Sequence, residues 1–311
     1  MLEGCFEIST KDMTREEWLI ARRERIGGSD ASTIVGLNRY QSPYALWAEK
    51  LGALEETPDN EAMRLGRDLE EYVAKRFTEA TGKRVRRKNA IIVNRIYPFA
   101  HANVDRVVVG ENAILECKTT SVLNLRKFKD TEFPEHYYAQ CVHYMMVTGA
   151  DRVYLAVLIL GKEFRVYCLE RDQAEIDALA EAEEHFYDYI RHQVPPPTDG
   201  HESTAKAMES VFGCADEEID VSDAETMLDE YFALNSEIKA LERRRDEIAN
   251  SVKGRMQTAC RAFSPRYSVS WKEERRSTFD RKKFEQHFSS VDLSPFYKCT
   301  VSRPFRITKN T

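Results

Sequence analysis

The sequence predicts a mixed α/β (α+β) domain, a central sheet flanked by helices, followed by one long C-terminal helix and a small strand-containing tail. Three observations predict it. Short apolar runs at 90–94, 104–109, 113–120, 152–160 and 164–170 read as strands, two pairs of them joined by the short turns GEN and GKE. Apolar residues recur at three- and four-residue steps before, between and after these runs, as in amphipathic helices. The run Pro195–Pro197 then separates this block from a stretch of different charge.

In order, Trp18, Leu19, Ile26 and Ile34 predict a helix, a break at Gly27–Gly28, and a second helix capped by Ser29 or Asp30. The next helix opens at Ser42 with Pro43 in its first turn and stops at Gly52. An acidic loop through Pro58 follows. Leu65, Leu69, Val73 and Phe77 step by four along a long helix ending at Gly82. "VDRVVV" and "AILECKTT" read as a hairpin closed by "GEN", and "RVYLAVLIL" and "FRVYCLE" as a second closed by "GKE". Between them "EHYYAQCVHYMMVTG" has a helical period, and another helix runs from Asp172 to about His192. Residues 222–260 read as one long amphipathic helix that must pack on something, and the tail as strand, helix, strand. The expected organisation is a domain over 1–195, a linker over 196–221 and a C-terminal segment over 222–311.

Bulk properties exclude several classes. The 311 residues are 42% apolar and 32% charged, ordinary for a globular chain. No apolar stretch reaches the roughly 20 residues that cross a bilayer, and the N-terminus lacks a signal-peptide core, so a cytoplasmic location and no membrane partner are expected. Seven scattered cysteines, none in a C-x-x-C pair, support neither a disulfide framework nor a zinc or iron–sulfur site. The net charge of −6 argues against coating nucleic acid by bulk electrostatics. Charge is segregated, however: 216–256 carry twelve acidic against six basic residues, 261–311 twelve basic against five acidic. The basic tail, with Arg275, Arg276, Arg281, Lys282 and Lys283, suits phosphate better than the acidic stretch does.

Within the strand 113–120, Glu116 and Lys118 share one face, and Asp105 sits one hairpin strand earlier. Two carboxylates beside one another repel unless a cation sits between them. Oxygen ligands of this kind, with a backbone carbonyl such as that of Cys117, suit Mg²⁺ or Mn²⁺ rather than zinc. Such an ion polarises a phosphodiester while a nearby lysine orients water, so the pattern fits phosphodiester hydrolysis. A spacing of D-x10-E-x-K is also common by chance, and a solvated pair on a half-exposed strand is the plain alternative.

Five collinear stretches narrow the choice: "EEWLIARRERIGGSDASTIVG", "LGRDLEEYVAKRF", "AHANVDRVV", "LECKTT" and "YYAQCVHYMMVTG". With these the chain resembles the PD-(D/E)XK nuclease superfamily, and within it the phage alkaline exonucleases typified by lambda exonuclease and the YqaJ recombinase family, over roughly residues 15–195. The closing "VSRPFRI" also resembles a YqaJ-type tail. The resemblance implies a restriction-endonuclease-like core with Asp105, Glu116 and Lys118 as catalytic trio and Glu70, four residues after Gly66, as a further acid at the metal. It implies that Gln140 closes the site with Tyr137 beside it, and that Arg22 and Ser29 bind the 5′-phosphate of the resected strand. Val104 stands where the family usually has Pro, a departure that still leaves an extended approach to Asp105. His101 and His143 read as structural, and "KRVRRK" at 83–88 as a solvated loop.

The resulting expectation is a Mg²⁺- or Mn²⁺-dependent, ATP-independent 5′→3′ double-strand DNA exonuclease with two ions per site, supplying 3′ single strands for recombination. Double-stranded DNA ends, a phage single-strand annealing protein and further copies in a ring are its implied partners. The absence of a G-x-x-x-x-G-K-[ST] loop argues against a built-in helicase. The rival readings are a nuclease of the same fold with endonucleolytic or single-strand preference, and an inactive DNA-binding or assembly protein.

Overall fold

The structure is a computed structural model that describes residues 4–54, 59–288, 292–299 and 302–309. Most of the acidic loop, at 55–58, and Val301 of the closing motif lie outside them. The chain forms two compact units, Met1–Cys214 and Ala215–Thr311.

In the first unit the elements run β1 (Cys5–Ser9), α1 (Arg15–Arg23), α2 (Gly28–Ile34), α3 (Pro43–Lys50), α4 (Glu61–Thr81), β2 (Val85–Arg87), β3 (Ala90–Asn94), β4 (His101–Ala102), β5 (Arg106–Val108), β6 (Ala113–Thr120), α5 (Glu135–Thr148), β7 (Arg152–Ile159), β8 (Glu163–Glu170), α6 (Gln173–His192) and α7 (Glu202–Val211). The central sheet has the order β2-β5-β6-β7-β8, with β6 and β7 parallel and the other pairs antiparallel. It is therefore mixed. The strands β1, β3 and β4 make a small antiparallel sheet beside it.

Strand alternation divides the core into two layers. Leu115 of β6 and Tyr154 and Ala156 of β7 meet Val73, Ala74 and Phe77 of α4 on one face. Ile114 and Val153, Leu155, Val157 and Ile159 face the other, with α2, α3, α5 and α6. Because β7 is covered on both sides it reads as an unbroken apolar run instead of an alternating one.

Capping chemistry sets the helix ends. The Ser42 hydroxyl accepts from the Ala45 N–H ahead of Pro43, the Asn60 side chain caps α4, and Asp172 caps α6. Gly82 and Gly149 end α4 and α5 in the left-handed region. The second helix differs from expectation: its N-cap is Gly27, while Asp30 sits in the first turn and its Oδ2 accepts from the Gly27 N–H at 2.8 Å. Glycine is needed at position 28, since a Cβ there would lie 2.5 Å from the Tyr144 ring. Gly28 thus allows α2 to approach α5.

The domain edge also differs. Residues 196–221 contain α7, which belongs to the first unit: Ser203 Oγ accepts from the Ser42 N–H at 2.9 Å, Thr204 Oγ1 donates to Ser42 Oγ at 2.7 Å, and Ala207 is buried. The three prolines lie in an irregular stretch inside the first unit, and the boundary falls after Cys214.

The second unit contains α8 (Glu225–Met256), β9 (Arg261–Phe263) paired antiparallel with β10 (Ser268–Ser270), and α9 (Arg281–His287). Among the described residues the strand expected after α9 does not form, and residues 302–309 are irregular. Lys309 there lies over the Phe232 ring of α8, 5.0 Å from its centroid. Among the described residues no helix is long and apolar enough to cross a membrane.

Candidate active site

The β5–β6 hairpin pairs Arg106 with Leu115, so Asp105 comes opposite Glu116 at the end of the ladder. The Asp105 carboxylate accepts from the Cys117 N–H at 2.7 Å. Glu116, only 4% exposed, accepts through Oε1 from Lys118 Nζ at 2.6 Å and from Gln140 Nε2 at 2.9 Å. Its other oxygen, Oε2, is buried and has no hydrogen-bond partner. Asp105, Glu116, Lys118 and Gln140 are thereby brought together.

Two effects act on this group. Burial, and next the neighbouring Glu116 charge, push the Asp105 carboxyl well above the usual carboxylate range. Burial works against the Lys118 charge, but Glu116 outweighs it and holds the ammonium above the ordinary lysine value. Lys118 Nζ also lies 5.2 Å from the centroid of the Tyr137 ring, a cation–π contact. The lysine is a held cation, suited to donating hydrogen bonds instead of taking a proton.

Gln140 is fixed from behind: its Nε2 also donates to the Tyr144 hydroxyl at 2.8 Å, which donates in turn to the Asn103 carbonyl at 3.0 Å. A cleft of about 550 Å³ opens in front, lined by Ser29, Arg39, Lys118, His136, Tyr137 and Gln140. A smaller one, about 200 Å³, is lined by Trp18, Glu70, Asn103, Asp105 and Arg106. Asn103 Oδ1 there is buried and, like Glu116 Oε2, without a partner.

Glu70 stands on the Asp105 side, but its carboxylate is bonded to the Arg106 guanidinium, which also donates to Glu71 at 3.0 Å. Among the described residues no three His, Cys, Asp or Glu side chains are grouped to hold a metal. Glu70 is thus placed beside the carboxylate pair and not in one cluster with it. Cys117 presents its N–H to Asp105 and packs its side chain toward the α4 layer, which leaves only its carbonyl as a ligand candidate.

Arg22 Nη2 donates to Ser29 Oγ at 3.1 Å, so α1 and α2 join these two expected phosphate ligands. Holding them is a buried ion pair the sequence reading did not single out. Lys50 Nζ lies 2.5 Å from Asp30 Oδ2 and donates to the Arg22 and Arg25 carbonyls at 3.0 and 2.8 Å. Arg106, Tyr144 and Asn103 were also missed. The one signal for Lys50 was a lysine inside an otherwise buried helix face. His143 bridges Glu183 and the His101 carbonyl in the core.

The sequence relatives fit this arrangement. Residues 17–151, which span the whole constellation, match the YqaJ-like viral recombinase domain. The uncharacterized protein YqaJ of Bacillus subtilis is 39% identical over 287 residues, 90% of each chain. The chain belongs to the YqaJ family. Among solved structures, this YqaJ-family chain is similar to an alkaline exonuclease from Laribacter hongkongensis (20% identity, TM-score 0.48, 57% of this chain and 93% of that one). It is also similar to a phage-related exonuclease from Haemophilus somnus (14% identity, TM-score 0.43, 54% of this chain and 96% of that one).

Proposed function

We propose that the chain is a Mg²⁺- or Mn²⁺-dependent, ATP-independent deoxyribonuclease that degrades linear duplex DNA from its 5′ ends and leaves 3′ single strands for a single-strand annealing protein in phage-type recombination. The observation that carries the reading is the buried, partnerless Oε2 of Glu116 beside Asp105, with Lys118 fixed at the same spot. A buried carboxylate oxygen without a partner is costly, and a cation offsets that cost. The donor set is all oxygen, which suits Mg²⁺ or Mn²⁺.

Asp105, Glu116 and the Cys117 carbonyl would hold the ion, which when bound supplies Lewis-acid polarisation of the phosphodiester and a more acidic water. Glu70 would join only by leaving Arg106, and a second ion would depend on that exchange. Lys118, anchored by Glu116 and the Tyr137 ring, donates a hydrogen bond that orients the attacking water. Gln140 keeps Glu116 in one rotamer and closes the rear of the site. Arg22 and Ser29 bind the terminal 5′-phosphate, an arginine fork with a hydroxyl beside it being a strong phosphate ligand.

Linear duplex labelled at either end, compared with nicked and closed circles, tests the reading. Release of 5′-terminal nucleotides from linear duplex, with closed circles intact, is expected. Cleavage of closed circles would replace it with the endonuclease alternative.

A further inference from the structure

Among the described residues, the long helix α8 carries an apolar stripe that stays about half exposed along most of its length. Met227, Tyr231, Leu234, Ile238, Leu241 and Ile248 are between 45% and 65% exposed. With Arg245 and Val252 they follow one another at alternating steps of four and three residues over 227–252, a heptad seam of the kind that pairs two helices. Six large side chains in one row exceed the scattered apolar exposure of an ordinary surface.

The charge pattern says what covers the seam. Over Glu225–Glu237 the helix has four acidic residues and no Lys or Arg, whereas 239–256 carry six basic against three acidic. We propose that α8 pairs with α8 of a second copy in antiparallel orientation, centred between Ile238 and Leu241. In that register each layer joins the two seam classes: Ile238 meets Leu241 of the second copy, Tyr231 meets Ile248, and Met227 meets Val252. Flanking the seam, Glu237 meets Arg244 of the second copy, twice by symmetry. Arg245, the one charged seam residue, packs against Leu234 of the second copy with that copy's Glu230 and Glu237 on either side. The parallel arrangement is worse on both counts, since it stacks Arg245 on Arg245 and sets Glu237 against Glu242. A two-fold pair of this kind is self-complementary and closes at two copies. It needs no contact through the nuclease unit and is independent of the proposed activity.

Charge reversal of the full chain tests the pairing. Glu237 and Arg244 are seven residues apart in one helix, roughly 10 Å along its axis, too far to pair within a chain. Glu237→Arg and Arg244→Glu should each weaken self-association in sedimentation equilibrium by about tenfold, a small energy change doubled by symmetry. The double variant should restore it, with helix content by circular dichroism unchanged throughout. Leu241→Asp, at the centre, should abolish it. Unchanged association in the single variants, tighter association in Glu237→Arg, or no restoration in the double variant would overturn the antiparallel pair. So would a chain that stays monomeric and protects α8 from hydrogen exchange only when a single-strand annealing protein is added.

Discussion

Glu116 has two oxygens with different surroundings: Oε1 is held by Lys118 and Gln140, and Oε2 is buried with no partner. That asymmetry divides the carboxylate into a fixed half and the half proposed to meet the ion. Lys118→Ala should therefore leave Mn²⁺ affinity nearly unchanged in calorimetric titration while lowering turnover by about 10²-fold or more, the loss expected for one positioned catalytic group. A rate near wild type would make the lysine structural. Behind the proposed phosphate ligands Arg22 and Ser29, Lys50→Met removes the buried ion-pair partner of Asp30, a change that costs about 3–5 kcal/mol in comparable pairs. Because Lys50 also holds the Arg22 carbonyl, the variant should lose its preference for 5′-phosphorylated over 5′-hydroxyl duplex, read as a rise in KM on the phosphorylated end. Asp105, Glu116 and Lys118 were legible in the sequence because strand alternation fixes which side chains share a face. Asp30 and Lys50 were not, since a lysine on an otherwise buried helix face does not say which helices it reaches across to.

At the scale of elements, the approach of α2 to α5 depends on a missing side chain. Gly28→Ala would force a Cβ to 2.5 Å from the Tyr144 ring. Overpacking of this kind costs roughly 1–3 kcal/mol, and here the displaced ring also supports Gln140. A lowered melting temperature together with a lowered turnover is expected; a variant with normal values of both would show that the ring moves freely. Several element ends were read from the sequence, Ser42 and Asp172 at helix starts and Gly82 at a helix stop, while the caps at Asn60 and Gly149 came only from the structure. The last tail strand was not, because a β-like run forms a strand only where an edge receives it, and 302–309 gain none.

For the molecule as a whole, the boundary after Cys214 makes α7 part of the first unit. A chain ending at Cys214 should fold and cleave short duplexes, whereas one ending at Pro197 should melt lower, because the α7 contacts at Ser42 are gone. Equal melting temperatures for the two would return α7 to a linker. Acid stability has a clear sign at His101, whose pKa is lowered from 6.5 to about 3, first by burial and then by the Lys50 charge. Between those values the unfolded chain binds a proton that the folded one does not, so this contribution is complete above pH 6.5 and falls away toward pH 3. His101→Asn should flatten the decline in stability over that window, measured by urea unfolding at stepped pH. The run of three prolines did not mark the boundary because it shapes only its own irregular stretch, while the packing of Ser203 and Thr204 on Ser42 is a contact over more than 160 residues.

The role proposed for Asp105 and Glu116 is to hold the ion of a metal-dependent nuclease. Its most direct measurement is the rate of linear duplex degradation by wild-type and Glu116→Gln protein in Mg²⁺ without ATP, each repeated in EDTA. Cleavage only by the wild type and only with the ion is expected, the amide having lost the charge that would hold it. Wild-type cleavage undiminished in EDTA, or a Glu116→Gln rate equal to the wild type, would contradict it.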